Sequence, residues 1–250
     1  MYNYGPPPKL TSLPVGSNYY KLENDPLYEA YRIRGAERKE LSEKDYWSIH
    51  TSRLRPLNLI IDCDLFKHEI KSVDGLFEQF GNTHTNLNRK SMALTELKTP
   101  IESIPLPVNW PMDVWAIEHP NQPLFDADFN IPNKEFYSME SMRPMDILKD
   151  HLSRCCILKW GTGARFYPHL DTLVPSHVIR LWGTNDPDNN HFCFWNESTG
   201  QYEREENVEP GRLYLADTSQ FHHAYSTAED VYTFFFALQV SSYETIKQLL

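Results

Sequence analysis

A histidine and an aspartate stand two positions apart in FYPHLDT, residues 166–172, shortly after a Gly-x-Gly turn. Side chains at positions i and i+2 of a β-strand lie on the same face, so His169 and Asp171 can reach one cation together. Imidazole and carboxylate ligands suit first-row transition metals, and two histidines with one carboxylate leave coordination positions open for other molecules. The pair predicts two ligands of a metal site or, in the simpler interpretation, two polar residues at a strand edge.

A third ligand has to come from a distant part of the chain. The stretch ADTSQFHHAYS, residues 216–226, supplies His222 and His223 after a Pro-Gly turn and a strand-like run. His222 follows Asp171 by 51 positions, which is long enough for several strands to pass before the chain returns to the same end of a barrel. Both histidines are candidates on residue type alone.

The secondary structure predicted from the sequence changes near residue 155, and the strands after this point must position the candidate ligands. From there, short strand-like runs alternate with turns rich in Gly, Pro and Asn, which predicts an all-β sandwich or barrel. The predicted strands are CCILKW, ARFYPHLD, SHVIRLWG, HFCFW, RLYLAD and VYTFFFALQV. Upstream, apolar residues at helical spacing predict helices over 64–81 and 141–154. LNLII predicts a buried strand, and the Pro-rich residues 100–137 predict an irregular crossing.

Composition narrows the class of protein. The chain has 250 residues, of which 40% are hydrophobic, enough for one large domain with a substantial core. A net charge of −10 argues against a nucleic-acid partner. No run approaches the roughly 20 apolar residues that span a bilayer, and the N-terminus lacks the features of a secretory signal, so we expect a cytoplasmic protein with no membrane partner. The four cysteines form no C-x-x-C pair, and their apolar surroundings predict buried free thiols.

Three segments of the β-rich half carry a resemblance to a known family. ILKWGTGARFYPHLD (157–171) is similar to the start of its catalytic barrel, and VEPGRLYLADTSQFHHAYS (208–226) is similar to the closing segment. HVIRLWGTNDPDNNHFCFW (177–195) resembles an Arg-containing strand followed by an Asn-rich turn. The family is the Fe(II)/2-oxoglutarate-dependent oxygenases. The likeness is to the prolyl 4-hydroxylase-like and aspartyl/asparaginyl β-hydroxylase-like branches, over about residues 142–240.

This resemblance implies a fold, a chemistry and a ligand set. The fold is mainly β with flanking helices, a double-stranded β-helix of the jelly-roll, cupin-like type. The implied iron ligands are His169, Asp171 and His222; His222 is preferred because it lies five positions after Asp217, and His223 is expected to face away or to form a hydrogen bond behind the ligands. The implied reaction uses Fe(II), 2-oxoglutarate and O₂ to hydroxylate an unactivated C–H bond, on a peptidyl side chain or a small molecule.

The far carboxylate of 2-oxoglutarate needs a cation, and a guanidinium pairs with a carboxylate at two points. The family places Arg or Lys about ten residues after the distal His, where this chain has Tyr232. Arg180 matches the Arg of the β-hydroxylase-like branch, and we predict that it takes this role. Because its neighbours are apolar, we expect a buried carboxylate to pair with it. Trp160 is predicted to line the cosubstrate pocket or to belong to the core. The weaker candidates for the carboxylate are Arg165, Arg212 and Tyr232.

The chain is predicted to have two parts. Residues 1–55 form an N-terminal arm with a short helix, and residues 56–250 form the oxygenase domain, with its catalytic core at about 142–240. The alternative function is a non-enzymatic or non-redox cupin-like barrel that binds a metal or another ligand, and the missing downstream Arg favours it. A zinc hydrolase is a third interpretation, but the sequence offers no positioned general base.

Overall fold

The computed structural model describes residues 4–7, 40–79, 88–97, 124, 126–171 and 177–250. The helices flank a mainly β structure. They are α1 (Glu43–Ile49), α2 (Cys63–Glu69), α3 (Lys134–Ser138) and α4 (Tyr243–Leu249). The 3₁₀ segments are Ile70–Ser72, Asp74–Leu76, Asp126–Asp128, Glu140–His151 and Val240–Ser242.

The strands fall into an early group and a barrel group. The early strands are β1 (Leu54–Ile60), β2 (Glu78–Gln79), β3 (Arg89–Ala93), β4 (Thr95–Glu96) and β5 (Ile131–Pro132). The barrel strands are β6 (Leu152–Trp160), β7 (Arg165–His169), β8 (Val178–Thr184), β9 (Asn190–Asn196), β10 (Gln201–Arg204), β11 (Arg212–Ala216), β12 (His222–Ser226) and β13 (Val231–Gln239).

Two antiparallel sheets enclose the interior of the barrel. The larger has the order β1-β11-β8-β13-β6-β3-β2, and the smaller has the order β10-β9-β12-β7. From β6 to β9 the chain changes sheet at every strand, and after the β9–β10 hairpin it does so again from β11 to β13. This winding is that of a jelly roll, so the predicted double-stranded β-helix with flanking helices is confirmed.

Glycines allow the chain to turn sharply between the sheets. Gly163, in the turn from β6 to β7, has φ of 73°, and its N–H donates to the carbonyl of Ser226 at 3.0 Å. Gly211, which precedes β11, has φ of 75°, and a Cβ there would meet the carbonyl oxygen of Ile61 at 2.1 Å. Both backbones occupy the left-handed region that other residues enter at a cost of about 1–2 kcal/mol.

Apolar side chains form a separate layer on each face of the larger sheet. Alternation along β13 sends Val231 and Phe235 toward the smaller sheet, while Tyr232 and Phe234 face the helices. The inner layer includes Trp160, Trp182, Phe192 and Phe194, and the outer layer includes Phe66, Met142, Met145 and Leu148. Each fully buried apolar side chain of this size contributes about 1.5–3 kcal/mol. The inner layer is the scaffold that holds the site.

The two predicted helices differ from the observed segments. The first is shortened to α2. The Asp62 carboxylate caps its start by accepting hydrogen bonds from the backbone N–H groups of Asp64 and Leu65. The helix ends where 3₁₀ turns begin at Ile70. The second is the 3₁₀ segment Glu140–His151. Its buried Met142, Met145 and Leu148 recur every three residues, which matches the three-residue turn of a 3₁₀ helix.

Several predictions fall partly outside the described residues. These are most of the N-terminal arm, the end of the first predicted helix at Gly81, and residues 100–123 and 125 of the irregular crossing. Within the described ranges, no helix combines the length and the apolar character needed to cross a membrane. All four cysteines are free thiols; Cys63 is partly exposed, and Cys155, Cys156 and Cys193 are buried as predicted.

Candidate metal centre

Two neighbouring strands of the smaller sheet bring the predicted ligands together. His169 is the last residue of β7, His222 is the first residue of β12, and the two are direct antiparallel partners. The register between these strands shifts before Ala224, which pairs with Phe166, so β7 carries a bulge next to the site. Asp171 follows β7 and is held by its backbone N–H, which donates to the carbonyl of Thr218 at 3.1 Å.

The ligand atoms of these three residues lie close enough to share one ion. The Nε2 atom of His169 is 3.1 Å from Oδ1 of Asp171, and the Nε2 atom of His222 is 3.9 Å from Oδ2. One ligand atom from each residue lies within 4.8 Å of the other two. Because a first-row ion sits about 2.1 Å from each donor, small side-chain rotations let a single ion bridge all three. The donor set fits Fe(II).

Backbone carbonyls fix which nitrogen each imidazole presents. The Nδ1 atom of His169 lies 2.7 Å from the carbonyl oxygen of Tyr167, and the Nδ1 atom of His222 lies 2.8 Å from that of Gln220. A carbonyl only accepts, so Nδ1 carries the proton in both rings and Nε2 keeps its lone pair. Both lone pairs therefore lie on the side of Asp171, where an ion between the three donors could accept them.

Arg180 lies beside the cluster on β8, and it pairs with two carboxylates. Its Nε is 3.2 Å from Oδ2 of Asp171, and its terminal nitrogen donates to Asp126 at 2.7 Å. The expected buried carboxylate partner is thus present in the protein itself. Burial alone raises the pKa of Asp171, but the positive charge of Arg180 outweighs burial and holds this pKa well below its usual range. Asp171 is therefore ionised and oriented.

A second buried carboxylate shapes the turn that precedes His222. Asp217 accepts hydrogen bonds from the hydroxyl of Tyr46 on α1 at 2.7 Å and from the side-chain amide of Gln220 at 2.6 Å. The carbonyl of Gln220 is the acceptor for His222, so these bonds lead from α1 to a metal ligand. The helix predicted within residues 1–55 therefore supports the site.

Aromatic rings pack against both imidazoles, and His222 is buried while His169 is partly exposed. Phe166 packs edge-on against His169 at 4.0 Å between centroids, and Phe192 stacks on His222 at 5.1 Å. Burial, together with the neighbouring His169, lowers the pKa of His222 to about 4. Its imidazole is therefore neutral at physiological pH, which is the form that binds a metal.

The remaining sequence candidates lie elsewhere. His223 faces the outer side of the smaller sheet, among the rings of Tyr4 and Tyr202. Trp160 is a core residue whose indole N–H donates to the hydroxyl of Thr233 at 2.9 Å. Tyr232 faces the outer layer of the larger sheet, where it contacts Phe66 and Phe77, so it does not join the cluster. Alternation along β13 explains this placement. Arg165 lies against Tyr167, and Arg212 donates to the carbonyl of Leu57.

Sequence reasoning missed three residues that bear on the site. Asp126 lies far from the motifs in sequence, and only the fold brings it to Arg180. Tyr46 has no local signal for its contact with Asp217. Arg89, the first residue of β3, is 1% exposed and lies over the rings of Phe166 and Trp160. Nothing in RKSMA distinguishes its inward position.

The two sheets and the cluster define a double-stranded β-helix with a two-histidine, one-carboxylate centre. No protein-family model and no curated protein matches the chain. Solved structures of 2-oxoglutarate–Fe(II) oxygenases match it over most of its length. A prolyl-4-hydroxylase from Pseudomonas putida is 11% identical with a TM-score of 0.37, over 71% of this chain and 84% of that one.

Two further structures are similar in the same way. A prolyl hydroxylase from Trichoplax adhaerens, in complex with a hypoxia inducible factor peptide fragment, is 10% identical with a TM-score of 0.41, over 86% of this chain and 96% of that one. HygX from Streptomyces hygroscopicus, with nickel, 2-oxoglutarate and hygromycin B bound, is 8% identical with a TM-score of 0.40, over 80% and 88%. At such scores, the chemistry of this chain has to be argued from its own side chains.

Proposed function

We propose that this protein is an Fe(II)- and 2-oxoglutarate-dependent dioxygenase that hydroxylates an unactivated C–H bond. The observation that carries the proposal is the convergence of His169, Asp171 and His222 from two paired strands, with both Nε2 lone pairs directed at the carboxylate. Two imidazoles and one carboxylate hold Fe(II) on one face and leave the opposite positions open.

Bound Fe(II) supplies the oxidation, in which 2-oxoglutarate and O₂ become succinate and CO₂ while one oxygen atom enters the substrate C–H bond. The protein supplies geometry. The strand pair fixes the separation of the imidazoles, Arg180 keeps Asp171 ionised, and the rings of Phe166 and Phe192 pack against the two imidazoles. Held in this way, the ligands need only small side-chain rotations when the metal binds.

The proposed substrate is a peptidyl side chain or a small molecule. The sequence resemblance to the prolyl 4-hydroxylase-like and aspartyl/asparaginyl β-hydroxylase-like branches favours the peptidyl side chain. The acidic net charge of −10 disfavours a nucleic-acid substrate, because a phosphate backbone would be repelled.

The test is anaerobic addition of Fe(II) and 2-oxoglutarate, followed by O₂. We expect a weak visible charge-transfer band from the chelate, and then formation of succinate even without a substrate. The His169→Ala variant should give neither signal. His68→Gln, an exposed change on α2, is the matched control and should give both.

The competing function is the non-redox, cupin-like binder. This chain has Tyr232 at the position where the family has the Arg or Lys that pairs with the far carboxylate of 2-oxoglutarate, and this difference favours the binder. Metal binding without either the band or succinate would support the binder and overturn the dioxygenase.

A further inference from the structure

Three arginines lie at the inner side of the larger sheet, and they have different surroundings. Arg180 and Arg154 both lie near Asp126, at 2.7 and 3.8 Å, and Arg180 also holds Asp171. These two guanidinium groups therefore neutralise carboxylates of the protein. Arg89 lies deeper in the barrel, beside the end of β6, where its backbone pairs with Trp160.

Two aromatic rings lie against the guanidinium of Arg89. Its central carbon lies 4.1 Å from the centre of the Phe166 ring and 5.2 Å from that of Trp160. Phe166 in turn packs against the metal-facing imidazole of His169 at 4.0 Å. A single phenyl ring thus contacts both the guanidinium of Arg89 and a candidate metal ligand, so only one ring separates Arg89 from the imidazole of His169.

Resting on the proposed function, we propose that Arg89 binds the far carboxylate of 2-oxoglutarate, and that Arg180 is instead a positioning residue for Asp171. Arg89 belongs to β3, outside the eight barrel strands, so a residue upstream of the barrel replaces the missing basic residue of β13. The planar fork of Arg89 pairs with the carboxylate at two points while the aromatic faces stabilise its charge.

Buried polar groups next to Trp160 provide a second hydrogen-bond donor for a carboxylate. Trp160 donates to Thr233, whose hydroxyl donates to the side-chain oxygen of Asn190 at 2.8 Å. The amide nitrogen of Asn190 is buried and has no hydrogen-bond partner within the described part of the chain. A carboxylate in the deep end of the barrel would satisfy this donor as well.

Arg89 also remains charged at neutral pH. Burial lowers its pKa to about 9, which is still well above 7. Arg180 already faces two carboxylates, so adding a third would leave that part of the interior with excess negative charge.

The test compares two ligands that differ only at the far end. 2-Oxopentanoate has the 2-oxo acid end and the chain length of 2-oxoglutarate, but it has a methyl group in place of the far carboxylate. Binding of each ligand to the Mn(II)-loaded protein is measured anaerobically by calorimetry, so the readout is affinity and not turnover. We expect the wild type to prefer 2-oxoglutarate by at least about 30-fold.

The Arg89→Met variant should lose this preference while its affinity for 2-oxopentanoate stays within about threefold, which also shows that the metal site is intact. Arg180→Met should weaken the binding of both ligands, because Arg180 positions Asp171, but should keep the preference between them. If Arg89→Met does not fold, Arg89→Lys serves instead: it keeps the charge without the fork and should lower the preference by about tenfold.

A preference that persists in the folded Arg89 variants, or disappears in Arg180→Met, would overturn this inference and leave the dioxygenase proposal standing. A wild-type protein that binds Mn(II) but neither 2-oxo acid would overturn both.

Discussion

His169 and His222 are direct cross-strand partners on β7 and β12, with their ring centres 4.3 Å apart. Opposite residues of an antiparallel pair keep a fixed separation, so backbone hydrogen bonds set the spacing of the two imidazoles. The next residue, His223, faces the other side of the same sheet. A slip of one residue in β12 would exchange the two histidines, so the register decides which of them can bind a metal.

The first prediction separates these neighbours by substitution. His222→Ala should lower the affinity for Co(II), measured anaerobically by calorimetry, by more than about 100-fold, because it removes a ligand. His223→Ala should leave that affinity within about threefold and lower the free energy of unfolding instead, since His223 packs among aromatic rings. The reverse pattern would show that β12 has the other register.

The second prediction concerns the bond between Tyr46 and Asp217. Tyr46→Phe removes a hydroxyl that donates to a buried carboxylate, and it should lower the free energy of unfolding by about 1.5–3 kcal/mol. Because Asp217 orients the turn that carries the acceptor for His222, the Co(II) affinity should also fall, by about tenfold. Urea unfolding and calorimetry measure the two effects.

A matched variant tests whether that effect is specific. Tyr137→Phe makes the same chemical change at an exposed position of α3, and it should alter neither quantity. Loss of stability in Tyr46→Phe without a change in metal affinity would show that α1 supports the barrel but not the site.

Local patterns predicted an all-β sandwich or barrel and the H-x-D pair, and the family resemblance selected the double-stranded β-helix and the third ligand. Alternation, turn residues and the H-x-D spacing are short-range patterns, and ILKWGTGARFYPHLD contains all of them. The choice of His222 over His223 agrees with the observed cluster, although the metal itself stays a prediction.

The partners of Arg180 and the face of Tyr232 depend on long-range pairing, which the sequence does not display. Asp126 reaches Arg180 only after β6, β8 and β13 assemble. Tyr232 falls at the expected distance from the distal histidine, but the phase of β13 points it outward. The number of residues between two positions does not show which face of the sheet a side chain occupies, because a shift of one residue moves it to the other face.

The third prediction concerns the opposite orientations of Tyr232 and Thr233 on β13. Tyr232→Phe should leave the anaerobic affinity for 2-oxoglutarate within about twofold, because the hydroxyl lies on the far side of the sheet. Thr233→Val, one position further, should lower the free energy of unfolding by about 1–3 kcal/mol because the buried indole N–H of Trp160 loses its acceptor. A large loss of affinity in Tyr232→Phe would mean that the outward orientation of this side chain is wrong.

The fourth prediction is a pH dependence of stability that originates at His50. This ring is buried and stacks on Tyr46 at 3.9 Å between centroids. Burial lowers the pKa of His50 below its ordinary value of 6.5, and the nearby charges of Asp217 and Arg55 act in opposite directions. The unfolded chain therefore binds a proton near pH 6.5 while the folded chain binds it only at lower pH, so the free energy of unfolding falls as the pH drops below 6.5.

Replacing His50 with glutamine removes this titration. Urea unfolding of the metal-free chain at about pH 7.5 and 5.5 should show a smaller loss of stability in His50→Gln than in the wild type. The exposed His68→Gln should keep the full wild-type loss, because it leaves His50 in place. Equal losses of unfolding free energy in the wild type and His50→Gln would show that the buried ring of His50, which stacks on Tyr46, does not have a lowered pKa.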